Sequence, residues 1–189
     1  FMGCGKSSVG RKLSELLCCP FMDLDAEIEA RCGCTVAEIF AERGEAEFRM
    51  LEKETLKDIL ETDGIILALG GGAVMTPECE RMVHEQTVCV YLRTSVDELV
   101  GRLSGETSER PLLNTNATEC HFNQAERVEK SVMQERIASL LTQRSATYKK
   151  TAHIIIDTDC KTIDKIAEEI FYKTGIISTD RPRNGGVAS

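Results

Sequence analysis

Phe1-Met2-Gly3-Cys4-Gly5-Lys6-Ser7, with Ser8 behind it, opens the chain and decides how the rest is read. The stretch matches the G-x-x-x-x-G-K-[ST] spacing of a phosphate-binding loop from its second position onward. The pattern's first glycine falls one residue before Phe1. In such a loop successive backbone N–H groups turn inward onto phosphate oxygens. The lysine reaches the β- and γ-phosphates, and the hydroxyl after it takes Mg²⁺. A helix starting at the loop adds its positive end. Gly3, Cys4, Gly5, Lys6, Ser7 and Ser8 are therefore read as the phosphate site of ATP, with Ser7 on the metal. The plainer alternative is a Gly-rich turn before a helix.

Working outward, apolar residues recur at helical spacing after the loop (Val9, Leu13, Leu16, Leu17), and Pro20 ends that helix. Phe21 to Leu24 reads as a short strand running into Asp23-Leu24-Asp25, with Asp25 the expected cap of a helix to about Cys32. Thr35 with Glu38 forms a capping-box pattern for a helix to about Glu42. Gly44 breaks it, and Glu45 to Glu61 reads as a longer helix. Ile65 to Leu69 is a continuous apolar run, typical of a strand covered on both faces. It leads straight into Gly70-Gly71-Gly72.

Thr76 and Pro77 open another helix. Val88 to Leu92 is a third strand, and Ser95 with Glu98 starts a helix expected to fade near Ser104. Residues 105–123 are polar, contain Arg110-Pro111-Leu112-Leu113, and read as a long mobile loop. A helix over Ala125 to Tyr148, a strand over Ile154 to Ile156 and a helix over Ile163 to Tyr172 complete the pattern. The expected organisation is one domain over 1–175 and a polar, disordered tail over 176–189. Strands alternating with helices imply a parallel sheet covered on both faces. Ligands in such folds bind at the carboxyl ends of the strands. The loop, the two aspartates and the three glycines all fall at such ends.

Composition narrows the function. Net charge is −8, from 23 basic and 31 acidic residues, which argues against nucleic acid as a partner. No apolar run reaches the length of a membrane span. Nine cysteines in 189 residues include Cys32 and Cys34, too close for zinc-finger spacing. Buried, reduced thiols in a cytoplasmic protein are the expected reading.

Several further groups carry chemistry. Asp23 and Asp25 would share a face on an extended segment. One suits Mg²⁺; the other suits a hydrogen bond from a substrate hydroxyl, as base or aligner. Arg49 and Glu52 stand at i, i+3 on a helix, a pairing that can orient a guanidinium for a carboxylate. An exposed helix ion pair is the simpler account, and the residues alone favour it. Three successive glycines cost backbone entropy and point to close approach of backbone to a ligand. Arg110 and Arg144 are candidates for drawing an anionic substrate into a cleft against the overall field.

The ordered set resembles shikimate kinase: Gly-Lys-Ser at the start, Asp-x-Asp at 23–25, Gly-Glu-x-x-Phe-Arg at 44–49, Gly-Gly-Gly at 70–72, Arg-Pro-Leu-Leu at 110–113, and Arg-x-x-x-Tyr at 144–148. The resemblance spans roughly Phe1 to Tyr172. It implies a P-loop kinase fold, three layers α/β/α with a central parallel sheet in the order 2-3-1-4-5, the first strand lying ahead of Phe1. It implies ATP-dependent phosphorylation of the shikimate 3-hydroxyl in aromatic amino-acid biosynthesis, with Mg²⁺, by a cytoplasmic monomer. By position, Lys6 and Ser7 hold phosphates and metal, and Asp23 lies near the metal. Asp25 is the base on the ring hydroxyls. Arg49, Gly71, Gly72 and Arg144 surround shikimate, Arg102 stacks on adenine, and Arg110 is the lid arginine on the phosphoryl group.

Two rivals remain at this level: a gluconate-kinase-like small-molecule kinase, and a nucleotide-binding module without turnover. A further expectation is that the natural protein begins earlier than Phe1, and that a chain starting there packs poorly for want of a central buried strand.

Overall fold

The computed structural model describes residues 1–108 and 119–175, with side chains outside 104–129. Seven helices and four strands alternate among the described residues. The helices are α1 (Lys6–Leu17), α2 (Leu24–Cys32), α3 (Val36–Leu60), α4 (Pro77–Gln86), α5 (Val96–Ser108), α6 (Glu119–Thr151) and α7 (Ile163–Thr174). The strands are β1 (Phe21–Asp23), β2 (Ile66–Ala68), β3 (Val90–Arg93) and β4 (Ile154–Asp157).

β1 pairs with β2 in parallel, Phe21 opposite Ile66 and Asp23 opposite Ala68. β3 pairs with β4 in parallel, Val90 opposite Ile154 and Arg93 opposite Asp157. The two pairs are separate two-stranded sheets. In the expected order 2-3-1-4-5 they correspond to the neighbours 2-3 and 4-5. A mostly apolar slot of about 70 Å³ is lined by Phe1, Cys4, Leu69, Val90, Leu92 and Tyr148, with Lys6 at its wall.

The strands bear Ile, Leu and Val because helices cover them. α1 packs on α7, and α6 packs on α4 and α5. Leu24, Ile28, Ile39, Leu56, Leu99 and Ile156 are fully buried in one apolar cluster. At the carboxyl ends of β3 and β4, Arg93 forms a bidentate pair with Asp157 at 2.5 and 2.8 Å. Behind it the buried hydroxyls of Thr94 and Thr158 meet at 2.7 Å. These bonds tie the two strand ends together.

Local chemistry explains the boundaries. Thr35 and Glu38 form a reciprocal capping box at the start of α3. Gly44, at φ 80° and ψ 173°, interrupts α3 without ending it, so the two expected helices run as one kinked element. Pro77 occupies the first turn of α4.

Several further expectations need correction. Asp25 does not cap α2: Asp23 does, its carboxylate accepting the Asp25 N–H at 3.2 Å. α5 continues to Ser108, a turn beyond Ser104. Residues 105–108 and 119–123 are helical, because α5 and α6 extend into the stretch expected as a loop. Residues 109–118, with Arg110, and the expected tail at 176–189 lie outside the described residues. Finally, the cysteines are not mostly core residues. Cys4 and Cys79 are buried, but Cys18 and Cys160 are exposed, and Cys19, Cys32, Cys34 and Cys89 lie between. These eight of the nine cysteines, the ones whose side chains are described, are free thiols, and most of them lie in turns and loops at element ends.

Candidate active site

Gly5, at φ 84°, caps α1 without any side-chain bond, so the first-turn amides stay available to an anion. Ser7 and Ser8 lie in that first turn. Cys4 is buried beneath the loop, and its thiol donates to the Phe1 carbonyl at 3.0 Å. Lys6 Nζ donates to the same carbonyl at 2.6 Å, which folds the ammonium back across the mouth of the loop. Ser7 Oγ donates to Asp23 Oδ2 at 2.6 Å. A hydroxyl and a carboxylate therefore stand side by side at the start of α1. Those are hard oxygen donors of the kind Mg²⁺ takes alongside phosphate and water.

Asp23 and Asp25 do not share a face. Asp23 ends β1 and turns to Ser7, whereas Asp25 sits one residue inside α2 and turns to the glycine turn after β2. The helical rotation after Leu24 separates them. Burial pushes the Asp25 carboxyl above the usual range, and the Asp23 charge adds to the rise, against the opposing pull of Lys6 and Arg49. One carboxylate is thus committed to the hydroxyl of the loop, and the other is held in a drier place between two cations.

Arg49 projects from α3. Its Nη1 donates to Glu52 Oε2 at 2.7 Å and its Nη2 to Glu45 Oε1 at 3.1 Å. This is no exposed helix pair, because Glu52 is 1% exposed. Burial raises the Glu52 carboxyl above its ordinary value, and Arg49 pulls against that rise. Glu52 Oε1 has no hydrogen-bond partner among the described residues. The buried role of Glu52 escaped the sequence reading. Its signal was present: position 52 lies on the stripe of Phe48, Leu56 and Ile59, which α3 buries. A charged residue on that stripe, three after an arginine, marks a held guanidinium.

The turn Gly70–Gly72 closes over these groups. A Cβ at Gly70 would lie 2.6 Å from Asp25 Oδ1 and 3.3 Å from Glu52 Oε1. A Cβ at Gly72 would lie 2.6 Å from both Nη atoms of Arg49. Side chains are excluded here by contact with the charged cluster, and the backbone takes their place. From α6, Tyr148 Oη donates to the Gly71 carbonyl at 2.5 Å, and Arg144 Nη1 approaches the same oxygen at 3.4 Å.

Arg102 on α5 pairs with Glu98 at 2.9 Å and reaches the Gly3 carbonyl at 3.5 Å, so it flanks the loop. Lys6, Ser7, Asp23, Asp25, Arg49, the glycine turn and Arg144 are brought together; Arg102 borders them; Arg110 lies outside the described residues. The cluster can hold a polyphosphate at α1, a hydroxyl at Asp25, and a carboxylate between arginines.

The chain is similar to known proteins over most of its length. The shikimate kinase family model matches residues 2–174. A shikimate kinase of Chlorobium chlorochromatii is 38% identical over 173 residues, 92% of this chain and 86% of that protein. One of Bordetella avium is 39% identical over 172 residues, 91% and 75% of the two. Among solved structures, shikimate kinase from Acinetobacter baumannii in complex with shikimate superposes with a TM-score of 0.75 at 31% identity, over 92% of this chain and 88% of that one. The enzyme of Bacteroides thetaiotaomicron gives 0.77 at 28% identity, over 93% and 95%. The family model's match spans the loop, the glycine turn and the long helix, and by it the chain belongs to the shikimate kinase family.

Proposed function

We propose that this protein transfers the γ-phosphoryl group of ATP to the 3-hydroxyl of shikimate, giving shikimate 3-phosphate and ADP in aromatic amino-acid biosynthesis. The observation that carries the reading is the setting of Asp25. It is a half-buried carboxylate near Lys6 and Arg49, against Gly70, with its affinity for a proton raised by burial. That is the setting of a base close to both a phosphate-binding lysine and a carboxylate-binding arginine.

In this mechanism the loop amides, the Lys6 ammonium and the first turn of α1 hold the β- and γ-phosphates. Lys6 exchanges its bond to the Phe1 carbonyl for phosphate oxygens. Arg49, oriented by Glu52, and Arg144 take the substrate carboxylate, while Gly71 and Gly72 bring backbone close to the ring. Asp25 accepts the proton of the 3-hydroxyl as its oxygen bonds to the γ-phosphorus. The bond from that phosphorus to the β-bridging oxygen breaks, and ADP leaves. Ser7 and Asp23 would hold Mg²⁺, which when bound neutralises charge on the phosphates. Arg102 borders the nucleotide, and Arg110 is assigned to the phosphoryl group by its place in the Arg-Pro-Leu-Leu motif. Positioning and charge stabilisation supply the catalysis, because phosphoryl transfer asks little covalent chemistry of the protein.

The reading extends to a cytoplasmic monomer with small-molecule partners only. The eight described cysteines, all free thiols, support a reducing compartment, and a net charge of −8 disfavours polyanions. No helix among the described residues is long and apolar enough to cross a membrane. The test is a coupled ADP-release assay with ATP and Mg²⁺. ADP release is expected to depend on shikimate and not on gluconate. Nucleotide binding without shikimate-dependent release would leave a non-catalytic module.

A further inference from the structure

The hydroxyl of Tyr148 is buried, and its position has a consequence for Arg144. Tyr148 is 7% exposed, with its ring 5.3 Å from that of Tyr91 on β3. Packing thus fixes where the phenol points, and it points at the Gly71 carbonyl, 2.5 Å away. The Arg144 guanidinium, one helical turn earlier on α6, approaches the same oxygen at only 3.4 Å. A short bond and a long one therefore end on one acceptor. The donor held by packing takes the close approach, and the cation keeps a long bond to that oxygen with the Tyr148 hydroxyl beside it as a second partner.

We infer that Tyr148 is a positioning residue for the acceptor substrate: by occupying the Gly71 carbonyl it keeps the Arg144 guanidinium free to turn to a carboxylate. The physical reason is competition. A charged donor beside an empty buried carbonyl makes a strong hydrogen bond, stronger than a neutral one. A ligand would have to break that bond before it could use the arginine. With the phenol in place the carbonyl is already satisfied, and the arginine gives up little by leaving. The same contact orients the peptide between Gly71 and Gly72. Because that unit is trans and planar, a carbonyl held toward Tyr148 sends the Gly72 N–H to the opposite side.

This inference rests on the function proposed above, and the experiment separates the two. Wild-type protein is first assayed for shikimate-dependent ADP release; its absence would end both readings. With release established, Tyr148→Phe keeps the ring and removes the hydroxyl. The shikimate KM is expected to rise about 2- to 12-fold, the scale of one net hydrogen bond. kcat, the ATP KM and the melting temperature stay close to wild type, whereas general loosening of α6 would shift them together. In an Arg144→Ala background, Tyr148→Phe is expected to add no further rise, because the arginine it frees is gone. Calorimetric titration of shikimate reads the same differences without turnover. An unchanged shikimate KM in Tyr148→Phe, or an undiminished effect in the Arg144→Ala background, would overturn the inference and leave the kinase assignment standing.

Discussion

Gly72→Ala puts the geometry of the cleft to a quantitative test. The backbone at Gly72 has φ −106° and ψ −11°, which alanine adopts without strain. The added methyl is therefore the whole perturbation. It would sit 2.6 Å from Arg49 Nη1 and Nη2 and 2.9 Å from the carbon between them. Comfortable contact needs roughly 3.5 Å, so the guanidinium must retreat by about 1 Å. It cannot retreat intact, because Glu52 holds Nη1 from the buried side at 2.7 Å and Glu45 holds Nη2 at 3.1 Å. At least one charged hydrogen bond is lost or the substrate face is shifted. Such a bond contributes about 1.5–3 kcal/mol, which at 1.4 kcal/mol per decade is a rise of about 10- to 150-fold in the shikimate KM. The ATP KM should stay unchanged, since the loop at α1 is not touched. Gly101→Ala is the matched control. Its new methyl meets nothing within 4 Å, and it lies inside α5. It should leave the kinetics alone and stabilise the fold by up to about 1 kcal/mol. Steady-state ADP release over a grid of both substrates measures each constant. A shikimate KM within twofold of wild type in Gly72→Ala would show that Arg49 is not confined between the glycine turn and Glu52.

Other substitutions probe separate links of the argument. Asp25→Asn should bind ATP normally and abolish transfer; retained turnover would remove Asp25 as the base. Burial raises the Asp25 pKa, so the folded state binds a proton more readily than the unfolded chain, and the charged carboxylate costs stability above its folded pKa. Asp25→Asn should therefore melt higher than wild type at pH 7. The gain, on the usual stability–activity scale of about 0.5–2 kcal/mol, should shrink as pH falls through the folded pKa toward the ordinary aspartate range; a gain constant from pH 7 to 4 contradicts this. Thr35→Ala removes the acceptor half of the capping box at α3 and should cost about 0.5–2 kcal/mol, read as a lower midpoint in thermal denaturation with catalysis intact. Burial pushes the Cys89 thiol up to about 11, so at pH 8 about one molecule in a thousand carries the thiolate. Iodoacetamide should label the exposed Cys18 and Cys160 well before Cys89, as peptide mass mapping would report; early labelling of Cys89 would deny its burial.

Much of the frame was legible because it depends on local chemistry. The helix behind Lys6, the capping box at Thr35, the kink at Gly44 (expected as a full break) and the proline start of α4 each rest on neighbours within a few residues in the chain. The apolar run at 65–69 announced a covered strand before its partner was known. The misreadings share a cause as well. Asp23 and Asp25 both resemble helix caps, and only the end of β1 against β2 decides that Asp23 is the one. α5 and α6 outlast their apolar periodicity.

By itself the order of residues determined an α/β alternation, a phosphate loop at the head of α1, and which side chains could do chemistry. What it left open was which of them share a dielectric. Glu52 and Glu45 flank the same arginine at i+3 and i−4, yet one is 1% exposed and the other 69%. Their spacing from the arginine and their residue type do not distinguish them. The apolar stripe of α3 marks Glu52 as the inward one, and the tertiary fold, with the glycine turn after β2 lying against its carboxylate, decides how dry it is. Local propensity is set by neighbours along the chain. Burial, and with it proton affinity and the strength of an ion pair, is set by whatever distant segment arrives to displace the solvent.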